Sequence, residues 1–177
     1  MLPILLQKLT DISQSRWYWL FYIVLSVGLL SGALFYQFYL EELPCVLCIH
    51  VRLWVSLLLI VACIGLFTGK YKKINLIAHA AMFTIAIALL ERSYQLLGTE
   101  RGFVFGDCGF SLGMPAWFAI DQWLPWLYRV ETSCGYTPEI IFGITMAEVL
   151  MAMSIGLLLL SASVFIAFTL KLIKGDR

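Results

Sequence analysis

The sequence predicts an all-α membrane protein: an antiparallel bundle of four transmembrane helices, with a short interfacial helix in the second outer loop. Three observations support this fold class. The 177 residues are 62% hydrophobic and only 13% charged, with a mean hydropathy of +0.91, whereas soluble domains carry about 25% charged residues. Four stretches without charged side chains have the length of about 17–25 residues that crosses a bilayer. The basic residues are concentrated on one side of the resulting bundle.

The four spans are predicted at residues 17–40, 49–69, 74–94 and 145–170, within a single membrane domain that comprises residues 1–177. Outer loops are predicted at 41–48 and 95–143, so that short connections join antiparallel neighbours. The first span is expected to stay in the protein, because it is longer than the apolar core of a cleaved signal sequence.

Shorter elements complete the predicted fold. Residues 2–12 place apolar side chains at helical spacing, which favours an amphipathic helix on the inner membrane surface. In the long outer loop, the segment 114–128 predicts a second interfacial helix, interrupted near Pro125. Gly28 and Gly32 are expected to allow close helix contacts. The apolar face of the second interfacial helix comprises Trp117, Ile120, Trp123, Leu124 and Leu127.

The charges predict the orientation of the bundle. Eight of the twelve basic residues lie on the side of the two termini and of the 70–73 loop, and nine of the eleven acids lie on the other side. The positive-inside rule therefore places both termini in the cytoplasm and the loops 41–48 and 95–143 outside. The net charge of +1 argues against nucleic acid as a partner, since phosphate binding needs a clustered basic surface.

Four of the five cysteines fall in the predicted outer loops, where thiols become oxidised. Cys45 and Cys48 form a C-x-x-C motif at the start of the second span, where a helix N-terminus stabilises a thiolate. This motif is also found in zinc sites. Cys108 and Cys134 form a second pair in the long loop, either as a structural disulfide or as a partner in exchange with the first pair. Cys63, inside the second span, is expected to be a packing residue.

Arg52 follows Cys48 by one helical turn, on the same helix face and at the outer, lipid-facing edge of the hydrocarbon. One interpretation is an ion pair with Glu91 at the end of the third span. The other is a cationic site that stabilises negative charge on the carbonyl oxygen of an apolar two-electron acceptor. His79, in the third span, is expected to pack and to form hydrogen bonds between helices.

These residues also resemble a known family. The run Pro44-Cys-Val-Leu-Cys-Ile49 followed by Arg52 resembles the signature of the DsbB family of disulfide bond formation proteins, and so does an Arg-x-x-Gln-Leu run at residues 92–96. The resemblance covers nearly the whole chain, including the short first outer loop and the two cysteines of the second. Two features differ: Val51 occupies a position that is Glu in many members, and no histidine follows the third span.

The resemblance implies a protein-disulfide:quinone oxidoreductase of the bacterial inner membrane, with its catalytic cysteines in the periplasm. Its partner would be a soluble thiol oxidase of the DsbA type, its electron acceptor ubiquinone or menaquinone, and it would need no metal. By resemblance, Cys108 receives the attack of the partner's thiolate, Cys134 exchanges with Cys45, Cys48 faces the quinone and Arg52 binds the quinone head. Two alternatives remain: an enzyme of the vitamin K epoxide reductase type, or a membrane assembly protein with two structural disulfides.

Overall fold

Four long helices make up most of this computed structural model, which describes residues 15–68, 71–104, 108–109, 111–141 and 143–175. The long helices are α1 (Arg16–Tyr39), α2 (Val46–Thr68), α3 (Lys72–Glu100) and α6 (Met146–Gly175). Among the described residues, these four helices are long and apolar enough to cross a membrane. They pack in the order α1, α2, α3, α6, which confirms the predicted four-helix membrane bundle.

Local sequence explains how two of these helices begin. The Ser15 hydroxyl caps α1 by accepting the backbone N–H of Trp17 at 3.3 Å. At the start of α6, Thr145 and Glu148 form a capping box. The Glu148 carboxylate accepts the Thr145 N–H at 3.1 Å, and the Thr145 hydroxyl accepts the Glu148 N–H at 3.4 Å.

Helix α3 continues to Glu100, rather than ending near residue 94 as the charges suggested. Glu91 and Arg92 do not terminate it, because both side chains bond to Gln95 on the next turn, at 3.1 and 3.0 Å. The connection from α3 to α6, residues 101–145, is therefore shorter than predicted and is called the long loop below.

The long loop contains several short elements instead of one interfacial helix. Pro125 opens the last helical turn, because its ring cannot continue the preceding one. A small antiparallel hairpin, which the sequence did not predict, precedes α6. The amphipathic helix predicted at 2–12 lies outside the described residues. The elements of the long loop are a 3-10 turn (Ala116–Phe118), α4 (Ile120–Trp123), α5 (Pro125–Tyr128), β1 (Glu139–Ile141) and β2 (Ile144–Thr145).

The helices pack closely at the end of the bundle away from the C-x-x-C motif. The Trp19 ring lies so close to Gly65 that a Cβ atom there would approach it to 2.5 Å. His79 is buried and stacks on Trp19 with a ring separation of 5.0 Å. It also contacts the rings of Tyr18 and Phe168. His79 therefore lies in an aromatic core between α1, α3 and α6.

Candidate functional site

The start of α2 brings the two sulfurs of the C-x-x-C motif into contact. Cys45 directly precedes the helix, is buried, and accepts the N–H of Ile49 with its backbone carbonyl at 3.0 Å. Its Sγ also accepts the backbone N–H of Cys48 at 3.3 Å, as an N-cap side chain would. The two Sγ atoms are 2.7 Å apart. A disulfide, with an S–S bond of about 2.05 Å, can therefore form with little movement.

A backbone bridge holds the long loop against this motif. The N–H groups of Glu131 and Thr132 donate to the Pro44 carbonyl at 3.0 and 3.4 Å, and Cys45 pairs with Thr132 in an isolated parallel bridge. Two residues further on, the side chain of Cys134 is hydrogen-bonded to that of Cys45. The bridge thus sets the position of the second cysteine pair relative to the first.

The four cysteines of the two predicted pairs form one continuous series of contacts. Cys134 is hydrogen-bonded to Cys108 as well as to Cys45, and Cys45 contacts Cys48. The order is therefore Cys108, Cys134, Cys45, Cys48. Among the described residues, no group of three His, Cys, Asp or Glu side chains is arranged to hold a metal ion. Cys63 lies further along α2, about four helical turns beyond Cys48 by sequence.

Two of these thiols hold their protons strongly. The hydrogen bond with Cys134 lowers the pKa of Cys45, but the hydrogen bond with Cys48 and burial outweigh it and raise the pKa to about 12. The pKa of Cys134 is also raised, first by its hydrogen bond with Cys45 and then by burial. The helix N-terminus was expected to favour a thiolate. At Cys45, contact with the Cys48 sulfur and the loss of water dominate instead.

Arg52 is buried rather than placed at the lipid-facing edge. Its guanidinium donates to Gln37 Oε1 at 2.5 Å, to the Ala33 carbonyl at 3.1 Å and to the Leu127 carbonyl at 3.2 Å. The proposed ion pair with Glu91 is not formed, since that carboxylate accepts from Gln95 within α3. Three of the five guanidinium N–H donors are used in this way, and two remain for another acceptor.

The long loop contributes to the surroundings of Arg52. The Tyr128 hydroxyl donates to Ser56 Oγ at 2.7 Å, which fixes α5 against α2 and holds the Leu127 carbonyl beside the guanidinium. Ile120 and Leu127 of the predicted apolar face pack against a buried cluster around Cys45 and Leu96. The exposed large apolar side chains of the segment are Trp117, Trp123, Leu124 and Trp126.

A cavity of about 230 Å³ lies beside Cys48 and Arg52. Its wall is mostly apolar and comes from α1, α2, the start of α6 and the hairpin segment of the long loop. Gly28 and Gly32 line it, and a Cβ atom at either would meet nothing within 4 Å. The prediction that these glycines make close helix contacts is therefore wrong. The cavity exceeds the ~150 Å³ apolar cavity that admits benzene, so the head of a quinone fits its size and lining.

Sequence reasoning missed three side chains of this site: Gln37, which holds Arg52, and Glu42 and Tyr136, which line the cavity. Gln37 carried a signal, because an amide near the end of an otherwise apolar span needs a hydrogen-bond partner. Glu42 and Tyr136 carried none, since loop residues of these types are ordinarily exposed.

Comparison with known proteins shows a family relationship. The family model described as "Disulfide bond formation protein DsbB" matches residues 15–164. Proteins named disulfide bond formation protein B are similar to this chain. The one from Psychromonas ingrahamii is 31% identical over 72% of this chain and 69% of its own length. Those from Shewanella frigidimarina and Photobacterium profundum are each 26% identical, over 82% and 92% of this chain and 87% and 93% of their own lengths. With a family match over most of its length and a cysteine series at the end of a four-helix membrane bundle, this chain belongs to the DsbB family of disulfide bond formation proteins.

Proposed function

We propose that this chain is a protein-disulfide:quinone oxidoreductase. It oxidises a periplasmic thiol oxidase of the DsbA type and passes the electrons to ubiquinone or menaquinone. Family membership supports the role in disulfide bond formation. The proposed reaction with a partner and a quinone is supported by the contact series from Cys108 to Cys48. This series ends in the wall of an apolar cavity beside Arg52.

The four cysteines would transfer the electrons by successive thiol–disulfide exchange. The partner's thiolate attacks Cys108 Sγ, and the bond from Cys108 to Cys134 breaks. Cys134 then attacks Cys45, and the bond from Cys45 to Cys48 breaks, which leaves Cys48 as a thiolate. The partner's second thiol then displaces Cys108 and leaves with its own disulfide, and Cys108 displaces Cys45 from Cys134, so that Cys45 and Cys48 remain as the reduced pair. Each step exchanges one S–S bond for another. The hydrogen bond between Cys134 and Cys45 supports this order, because the attacking and accepting sulfurs are already neighbours.

Cys48 and Arg52 would act on the acceptor. A quinone bound in the cavity supplies the capacity to take up two electrons and two protons. The two remaining donors of Arg52 can bond a quinone oxygen and stabilise the negative charge that develops on it. Gly28 and Gly32 leave space for the ligand.

The proposed orientation places both termini and the loop at residues 70–73 in the cytoplasm, and the four loop cysteines in the periplasm. A membrane-impermeant thiol reagent added to reduced spheroplasts is expected to label these cysteines. A Lys72→Cys variant that lacks the native cysteines is expected to remain unlabelled until the membrane is permeabilised. Labelling of intact spheroplasts at position 72 would reverse the topology.

The decisive experiment is anaerobic stopped-flow with purified protein, a reduced DsbA-type partner and ubiquinone. Turnover that requires both substrates supports the proposal. A membrane assembly protein with two structural disulfides would show none. The match to the DsbB family disfavours the vitamin K epoxide reductase alternative, whose C-x-x-C motif normally falls late in the chain.

A further inference from the structure

The cavity beside Cys48 contains a single carboxylate. Of the described residues that line it, Glu42 is the only acid, and the other ionisable side chains are Tyr36, Cys48, Arg52 and Tyr136. Glu42 is half-buried in this wall, between the end of α1 and the C-x-x-C motif. The same cavity therefore contains a carboxyl group, a redox-active thiol and a cation.

The backbone at the end of α1 gives Glu42 its placement. Glu41 has a φ of 56° and is the only non-glycine residue with a positive φ in the described part of the chain, a conformation that is uncommon for such residues. The Glu42 N–H then returns to the Tyr36 carbonyl at 3.1 Å. As a result the two neighbouring acids differ: Glu41 is exposed, whereas Glu42 lines the cavity.

The proposed reaction needs a proton donor in this cavity. Oxidation of the two thiols to a disulfide releases two electrons and two protons, and the quinone takes up both pairs. Cys45, with its pKa raised to about 12, keeps its proton until its bond to Cys48 forms. Cys48 leaves the exchange as a thiolate and therefore has no proton to give. Arg52 cannot supply the second proton, because a guanidinium does not deprotonate in proteins, and a phenol is a much weaker acid than a carboxyl group.

We propose that Glu42 is a further catalytic residue, which donates one of the two protons that the quinone acquires. As the Cys45–Cys48 bond forms, two electrons pass to the quinone, one proton comes from the Cys45 thiol and one from the Glu42 carboxyl. The Glu42 carboxylate then recovers a proton from water, which replaces the one that the Cys48 thiolate lacked. The sum is dithiol plus quinone giving disulfide plus quinol. This inference rests on the proposed function.

The first test is a single turnover of the pre-reduced full-length protein with ubiquinone-1, followed by quinone absorbance across a range of pH. Glu42→Gln is expected to slow the reaction at least about tenfold, since general acids typically contribute about 10²–10⁴-fold. Glu41→Gln removes the same charge one residue away and outside the cavity, so it is the matched control and should resemble the wild type.

Two further measurements separate proton donation from a structural role. Formate is expected to restore turnover to Glu42→Ala, because it can occupy the vacated space and donate a proton. Independently of turnover, ubiquinone-1 binding to the oxidised protein should perturb a carboxyl infrared band that Glu42→Gln lacks and Glu41→Gln retains.

The outcomes distinguish this inference from the function on which it rests. If the wild-type protein does not reduce ubiquinone-1, the proposed function fails. If the wild type reacts, but Glu42→Gln reacts at the rate of Glu41→Gln, Glu42 is not the donor and the function stands. A slowed Glu42→Ala variant without rescue, or a carboxyl band unaffected by quinone, also overturns the role of Glu42.

Discussion

Replacement of Arg52 tests the assignment of the quinone site most directly. In Arg52→Ala, the acceptors on Gln37, Ala33 and Leu127 all lose their donor. A buried acceptor left without a partner costs about 1–3 kcal/mol. The low end applies, because the Ala33 carbonyl lies within α1 and also serves the helix ladder. We therefore expect a loss in the free energy of unfolding of about 3 kcal/mol.

The effect on catalysis should be similar in size to the effect on folding. Removing a donor that stabilises developing negative charge typically lowers kcat by about 10²–10³-fold. Arg52→Lys keeps the charge but loses the planar fork that reaches several acceptors at once, so its defect should be milder. The assay is a quinone titration at saturating reduced partner, with thermal unfolding measured in parallel. We expect impaired quinone kinetics in both variants, with little change in the KM for the partner.

Arg92→Ala is the matched control, since the Arg92 guanidinium donates to Gln95 of the same helix and, in the described part of the chain, does not line the cavity. It should leave the quinone response unchanged. The reasoning is refuted if the Arg52 variants raise the KM for the partner while their quinone response stays that of the wild type. Arg52 would then be a structural residue, and the quinone site would lie elsewhere.

Four other results are expected. Cys134→Ser should accumulate a mixed disulfide between Cys108 and the partner, visible as a partner-sized shift on non-reducing gels; an adduct mapped to Cys45 would reverse the proposed order. Cys63→Ala, outside the contact series, should leave turnover within about twofold of the wild type. Gly32→Leu should weaken quinone binding by filling the cavity without lowering the melting temperature, because its side chain meets open space; unchanged affinity would place the ligand elsewhere. The rate of alkylation of reduced Cys45 should keep rising above pH 9 and level off only near the pKa of this thiol, about 12. A plateau near pH 9 would show that the pKa of Cys45 is not raised.

The helices could be predicted because membrane insertion depends on local composition. Runs without charge located four spans, and the C-x-x-C motif marked the start of α2. The end of α3 was misplaced for a local reason as well. Glu91 and Arg92 indicate a boundary by composition, but their bonds to Gln95 continue the helix. The hairpin before α6 escaped prediction, since its strands of three and two residues are too short to show alternation.

The site was predictable only where one residue type implies one chemistry. Cysteines in outer loops imply redox reactions, and an arginine one turn from Cys48 implied a charge-stabilising group. The cavity depends on how three helices and a loop meet, which no local pattern encodes. Gly28 illustrates the limit, because a small residue permits either a close helix contact or an open space. Only the three-dimensional arrangement shows that Gly28 faces an open space.

The backbone bridge between Cys45 and Thr132 has a consequence for how the long loop can vary. It uses main-chain groups only, so side chains there can change without loss of the connection. Additional residues between Cys108 and Glu131 would enlarge a loop that is already closed at the bridge. Doubling the length of a flexible loop raises the free energy of closing it by only about 0.6 kcal/mol. An insertion between Thr132 and Cys134 would instead displace the sulfur by up to about 3.3 Å per residue. The local concentration of the Cys134 thiol at Cys45 therefore depends on the two-residue spacing between Thr132 and Cys134. It is nearly independent of the length of the loop before the bridge.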